Sequence, residues 1–215
     1  VPLKEVLDRW KTYGSDLPDL KPAYLKEDYS QLKNRIVYFE TSRGCPYLCS
    51  FCLSALDKTV RYFDDEQIYN QIKNLMDAGV KKLKFVDRTF NLKPDRMKSL
   101  MEWLSQFIGS EFHFEVVGDI LTPDILKFLE TVPPGMFQFE IGIQTTDESV
   151  QASIERKQNN QKLFDTIKTL LAQDRIHFHC DLIFGLPGEN MEKILNSFRD
   201  VLSLRPHELQ LGFLK

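Results

Sequence analysis

Cys45, Cys49 and Cys52 fall within eight residues, in the stretch Thr41-Ser42-Arg43-Gly44-Cys45-Pro46-Tyr47-Leu48-Cys49-Ser50-Phe51-Cys52. Three thiolates on one short loop can converge on a small metal centre, and Gly44 and Pro46 hold such a loop in a tight, non-helical path. Iron–sulfur clusters are bound by cysteine runs of this kind, and a fully ligated 4Fe–4S cluster takes four. The one remaining cysteine, Cys180, lies far along the chain. Three ligands at hand and a remote fourth describe a cluster with one open iron. A structural zinc site is the competing reading, because Cys3His sets also hold zinc. It needs a histidine at short spacing, and the first one after the loop is His113. A disulfide framework fits worse: an odd triplet with one distant partner pairs badly in a chain with no export segment.

The loop follows an apolar run, Ile36–Phe39, and from there a repeated rhythm sets in. Strands are expected at Ile36–Glu40, Lys82–Asp87, Phe112–Val117, Phe137–Ile143, Ile176–Phe184 and Glu208–Phe213. Between them, apolar residues recur at helical spacing: Ile68, Ile72, Leu75 and Met76; Met97, Leu100, Met101 and Leu104; Ile125, Leu126 and Leu129 after a Thr122-Pro123 start; Leu163, Phe164, Ile167, Leu170 and Leu171; and Ile194, Leu195, Phe198, Val201 and Leu202. Strands alternating with helices imply parallel strands joined by right-handed crossovers. The expected fold is therefore α/β, an open partial (β/α)6 barrel with outer helices and no sixth helix. Residues 1–34 read as an N-terminal helix, with Leu3, Val6, Leu7 and Trp10 on one face, followed by a linker or cover. Residues 35–215 read as the barrel domain, a piece of a longer protein.

The strands alternate with period two. Phe112, Phe114 and Val116 alternate with His113, Glu115 and Val117; Phe137, Phe139, Ile141 and Ile143 with Gln138, Glu140, Gly142 and Gln144; Phe178, Cys180 and Leu182 with His177, His179 and Asp181; Leu209, Leu211 and Phe213 with Glu208, Gln210 and Gly212. Strands covered on both faces ordinarily read as continuous apolar runs. Here one face is apolar and must meet the helices, so the polar face points inward. Burying that many ionisable groups dry costs several kcal/mol each, so the lumen is expected to be open, hydrated and built to hold a ligand. His177 and His179 could touch substrate or do acid–base work there, or be satisfied structurally; His113 and Glu115 stand the same way. Cys180 shares the apolar face and reads as packing.

Cys-x3-Cys-x2-Cys with an aromatic before the last cysteine, placed after the first strand of a βα series, resembles the signature loop of the radical S-adenosylmethionine superfamily. The resemblance covers about residues 35 to 215. It implies a 4Fe–4S cluster on Cys45, Cys49 and Cys52 whose fourth iron is chelated by S-adenosylmethionine, and reductive cleavage to a 5′-deoxyadenosyl radical. It further implies contacts at the carboxyl ends of the strands, where ligands of parallel α/β folds gather. Phe51 is similar to the residue that lies against adenine. Asp87, in Val86-Asp87-Arg88-Thr89-Phe90-Asn91, stands where many members bind the methionyl amino group, although the usual glycines are absent; capping the next helix is its other reading. Glu140 and Gln144 resemble contacts to ribose and methionine, and Arg156 resembles the arginine that pairs with the methionyl carboxylate. Asp181, Gly185, Pro187 and Gly188, in Asp181-Leu182-Ile183-Phe184-Gly185-Leu186-Pro187-Gly188-Glu189, resemble the fifth-strand motif that approaches adenine. The Asp-x-x-Phe-Asn form points to the cobalamin-linked and methylthiotransferase branches. Cobalamin would then sit in an upstream domain outside this chain, and an electron donor such as flavodoxin or ferredoxin is implied.

The formal net charge of −3 over 215 residues argues against a dominant nucleic-acid surface. No apolar run approaches ~18 residues, so no membrane span is expected. Reduced cysteines without an export segment point to the cytoplasm.

Overall fold

The computed structural model describes Tyr24, residues 29–57 and residues 59–214. The helix expected at Pro2–Trp10 and most of the lead-in up to Lys33 lie outside the described residues. Six strands, β1 (Ile36–Phe39), β2 (Lys82–Phe85), β3 (Glu111–Val116), β4 (Phe137–Gln144), β5 (His177–Phe184) and β6 (Glu208–Phe213), form one sheet in chain order. All five pairings are parallel, and β1 and β6 remain edges, so the barrel is open.

Parallel neighbours need a crossover. It is supplied by α1 (Asp65–Asp77), α2 (Pro94–Leu104), α3 (Pro123–Leu129), α4 (Glu148–Ser153) with α5 (Asn160–Gln173), and α6 (Met191–Leu204). The starts are written locally. Asp64, Thr122, Asn159 and Asn190 each accept a hydrogen bond from the backbone N–H three residues on, and each such cap is worth about 1 kcal/mol. Pro94 and Pro123 occupy the first turn of their helices, where the missing N–H is not needed. No helix follows β6 among the described residues, and Leu211 and Phe213 are exposed on it. Several short elements escape the sequence patterns, two of them beside the cysteine loop. One is α4, only six residues long and capped by Asp147. The other is a two-residue antiparallel ribbon, Ser42–Arg43 against Arg61–Tyr62, which frames the cysteine loop.

The alternation sorts the two faces as expected. Phe112, Phe114, Phe137, Phe139 and Phe178 are fully buried between sheet and helices, each contributing about 1.5–3 kcal/mol by burial. Phe85 stacks on Phe114 with ring centroids 4.7 Å apart, and Phe90 closes over both. On the other face His113, Glu115, Gln138, Glu140, His179 and Asp181 are only half-buried. That face is the lumen.

Candidate active site

The cysteine loop is pinned from three sides. Gly44 has φ +98°, and a Cβ on it would lie 2.3 Å from the Thr59 carbonyl oxygen, so no other residue fits this turn without moving the backbone. The Cys45 N–H donates to the Asp57 carbonyl at 3.1 Å, the Cys52 N–H to the Cys49 carbonyl at 2.9 Å, and the Ser50 N–H to the Ile154 carbonyl at 2.9 Å. The last bond anchors the loop to the residue that ends α4.

All three cysteines line one cleft at the carboxyl ends of the strands, together with Phe51, Glu140, Gln144, Arg156 and Asp181. Cys45 and Cys49 are buried and Cys52 is partly open. Burial raises the Cys49 pKa, and the Arg156 guanidinium, with Nη1 3.8 Å from Cys49 Sγ, pulls it back down. Arg156 is held by Gln158 Oε1 at 2.9 Å and by the Gly142 carbonyl. That carbonyl is available because the sheet register shifts between Gly142 and Gln144, and Gln144 takes φ +70°. Gln144 Oε1 and Asp181 Oδ1 are buried without a hydrogen bond, although His179 Nε2 stands 3.6 Å from Asp181 Oδ1 as an ion-pair contact.

Four expected contacts are not among the residues lining the cleft. Asp87 is 1% exposed and its carboxylate is already engaged. Oδ2 accepts from the Thr41 N–H at 3.0 Å, while Oδ1 accepts from Thr41 Oγ1 at 2.7 Å and Ser42 Oγ at 2.6 Å. Burial raises its pKa against these bonds. Asp87 thus neither faces the cleft nor caps a helix; it ties the end of β2 to the segment that leads into the cysteine loop. Gly185, Pro187 and Gly188 form a turn behind Phe51. Glu189 Oε2 accepts from the N–H groups of Gly185 at 2.7 Å and Leu186 at 2.9 Å, and Ser153 Oγ donates to the Pro187 carbonyl at 2.6 Å. Leu186 then packs with Val150 and Ile154 in a small apolar cluster against Phe51. The turn supports the Phe51 wall rather than facing the cleft itself.

Deeper in the lumen, Glu140 Oε2 lies 3.1 Å from Lys84 Nζ, 3.4 Å from His113 Nε2 and 3.5 Å from His179 Nε2. The two imidazoles, then Lys84, hold the Glu140 carboxyl well below the usual carboxylate range. Reciprocally, Glu140 raises His179. Burial pushes Asp181 up to about 6, opposed by His179 and reinforced by Glu140, and burial with Glu140 raises Glu115. Lys84, Arg88 and Thr89 join the site although no motif marks them as site residues. Lys84 could have been found from the alternation Lys82-Leu83-Lys84-Phe85, which puts both lysines on the inward face. Thr89, whose Oγ1 lies 3.7 Å from Cys45 Sγ, carries no such sign, since only the fold brings it there.

The donor set fits an iron–sulfur cluster better than a structural Cys3His zinc: no histidine is among the residues that line the cleft with the three thiols, so the fourth zinc ligand is missing, whereas a cluster with one open iron needs only the three cysteines.

The family model described as the radical SAM superfamily matches residues 39–201. The chain is 28% identical over 179 residues to the cobalamin-dependent radical SAM methyltransferase TokK of Streptomyces tokunonensis, covering 79% of this chain and 26% of that protein. It is 23% identical over 209 residues to a probable threonylcarbamoyladenosine tRNA methylthiotransferase of Pyrococcus horikoshii, covering 91% and 49%. Among solved structures it resembles the radical S-adenosylmethionine methyltransferase TsrM of Kitasatospora setae, with a TM-score of 0.74 at 13% identity, over 95% of this chain and 39% of that one. The chain thus spans a quarter to a half of the length of these relatives.

Proposed function

The chain belongs to the radical S-adenosylmethionine superfamily, whose cofactors are a 4Fe–4S cluster and S-adenosylmethionine, and from that premise we propose that Cys45, Cys49 and Cys52 hold the cluster of an enzyme that abstracts hydrogen from, or methylates, a polar substrate in the barrel lumen. The observation that carries the reading is the convergence of three thiols, the Arg156 guanidinium and two buried oxygens without a hydrogen-bond partner on a single cleft. A cluster held by Cys45, Cys49 and Cys52 would supply the electron for reductive cleavage of the S-adenosylmethionine sulfonium.

The chain's own residues then have separable tasks. The three thiolates leave one coordination position to the cofactor. Arg156 takes the methionyl carboxylate, a pairing its planar fork favours. Gln144 Oε1 and Asp181 Oδ1, buried acceptors that make no hydrogen bond within the chain, accept from the ribose hydroxyls. Phe51 lies against adenine, with the Gly185–Gly188 turn behind it. Glu140 lines the same cleft beside the ribose position, with Oε2 toward His113 and His179 below. Glu115 and Arg88 line the same cleft and suit a substrate carrying both donors and acceptors. A flavodoxin or ferredoxin supplies the electron. Radical methylation is favoured by the likeness to TokK, whose name also carries cobalamin; that cofactor would bind outside these residues. Methylthiolation is the second reading, supported by a match that runs along 91% of the chain.

Anaerobic reconstitution with iron and sulfide, followed by reductant and S-adenosylmethionine, tests this. The expected result is four irons per chain and formation of 5′-deoxyadenosine, both lost in Cys49→Ala while the folded core persists. A reconstituted wild-type chain that never consumes S-adenosylmethionine refutes it.

A further inference from the structure

Below the cleft, three adjacent strands bring together a donor set that cluster chemistry does not use. The register pairs Glu115 with Glu140 and Glu140 with His179, and His113 sits one inward position before Glu115 on β3. We propose that His113, Glu140 and His179 form a binding site for a divalent transition-metal ion of the zinc class, with an open coordination position toward the substrate.

Geometry is the first argument. Two donors on a tetrahedral ion with bonds of about 2.0–2.1 Å stand roughly 3.4 Å apart. Glu140 Oε2 is 3.4 Å from His113 Nε2 and 3.5 Å from His179 Nε2, and all three donors lie within 4.8 Å of one another. Satisfaction is the second. His113 Nε2 is buried, and its one polar neighbour, Glu140 Oε2 at 3.4 Å, is too long or misaligned to count as a hydrogen bond; a metal ion between the two would give each a direct bond. Position is the third: Glu140 lines the cleft, and the side chains of His113, Glu140 and His179 keep exposures of 18%, 24% and 18% on the lumen face. Two imidazoles and a carboxylate are a zinc donor set that keeps a fourth position free. An ion there would hold and polarise a carbonyl, amine or carboxylate group of the substrate beneath the S-adenosylmethionine contacts. Lys84 Nζ, 3.1 Å from the same oxygen, is the competing cation, and its flexible stem can turn aside.

The proposal is independent of the cluster assignment, and its test reads metal content rather than turnover. The cluster-loaded chain is equilibrated anaerobically with buffered Zn(II), and zinc and iron are counted after desalting. One zinc per chain is expected beside an unchanged iron content. His113→Gln and His179→Gln should each weaken zinc binding by more than the roughly 10–100-fold that a supporting residue is worth, with iron retained. Lys84→Met should tighten it, because the competing ammonium is gone. His177→Gln, whose ring pairs with Glu208 Oε1 at 2.9 Å, should leave it unchanged. Three results would overturn the proposal: no zinc uptake at micromolar free zinc, zinc that survives both histidine substitutions, or zinc that disappears only when the cysteines are replaced.

Discussion

Replacing Asp87 with alanine separates a structural clasp from a cofactor contact. The carboxylate is 1% exposed and accepts from three donors, the Thr41 N–H, Thr41 Oγ1 and Ser42 Oγ, at 2.6–3.0 Å. Thr41 is fully buried and Ser42 nearly so, so water cannot replace the lost acceptor. Each orphaned donor costs about 1–3 kcal/mol, and removing a buried carboxylate recovers part of that. The net loss is about 3–5 kcal/mol, the usual scale for breaking one side of a buried polar network. For a chain of this size each kcal/mol moves Tm by roughly 2–4 °C, so Asp87→Ala should unfold some 6–20 °C earlier. Asp87→Asn keeps one acceptor oxygen but sets an amide against the other donors, and should lose about half as much. The assay is thermal unfolding of the apo chain by circular dichroism, beside KM for S-adenosylmethionine in the reconstituted enzyme. The clasp predicts a large drop in Tm and slower cluster loading, with KM little changed in whatever protein loads. An unchanged Tm with a strongly raised KM would refute it and restore Asp87 to the cofactor.

Gly44→Ala would place a methyl 2.3 Å from the Thr59 carbonyl oxygen at φ +98°; it should prevent full iron uptake while the Tm of the apo core falls little, and normal loading would count against the pinned loop. Arg156→Ala should raise KM for S-adenosylmethionine by about 10–100-fold, the value of a charge-assisted pair. Arg156→Lys should recover little of this, because a point charge cannot reproduce the fork; full recovery in steady-state kinetics would argue for simple charge. Burial pushes the Cys180 thiol up to about 12, whereas an unfolded cysteine titrates near 8.5. The folded state holds that proton more tightly, so the stability involved is complete below about pH 8.5 and is lost as pH rises toward 12. Between pH 7.5 and 10.5, urea unfolding should show wild type losing about 2–3 kcal/mol more than Cys180→Ala; equal losses would mean the thiol is not shielded.

Much of this molecule was legible in one dimension because the physics involved is local. The helix start at Thr122-Pro123, the period-two alternation of β3, β4 and β5, and the three-cysteine loop after β1 all depend on neighbours a few residues away, and each is where it was expected. The polar lumen followed from the same alternation, since side chains that leave the helix face have only the barrel interior to enter. What the chain order could not supply was which side chains meet. Asp87 and the Gly185–Gly188 turn occur in recognisable motifs, yet one is consumed by Thr41 and Ser42 and the other stands behind Phe51. Arg156 comes beside Cys49, 107 positions away in sequence, and Lys84, His113 and His179 close on a single oxygen of Glu140 from three other strands. Such contacts are products of strand register and sheet curvature, set by the packing of the whole sheet, so only the folded chain decides them.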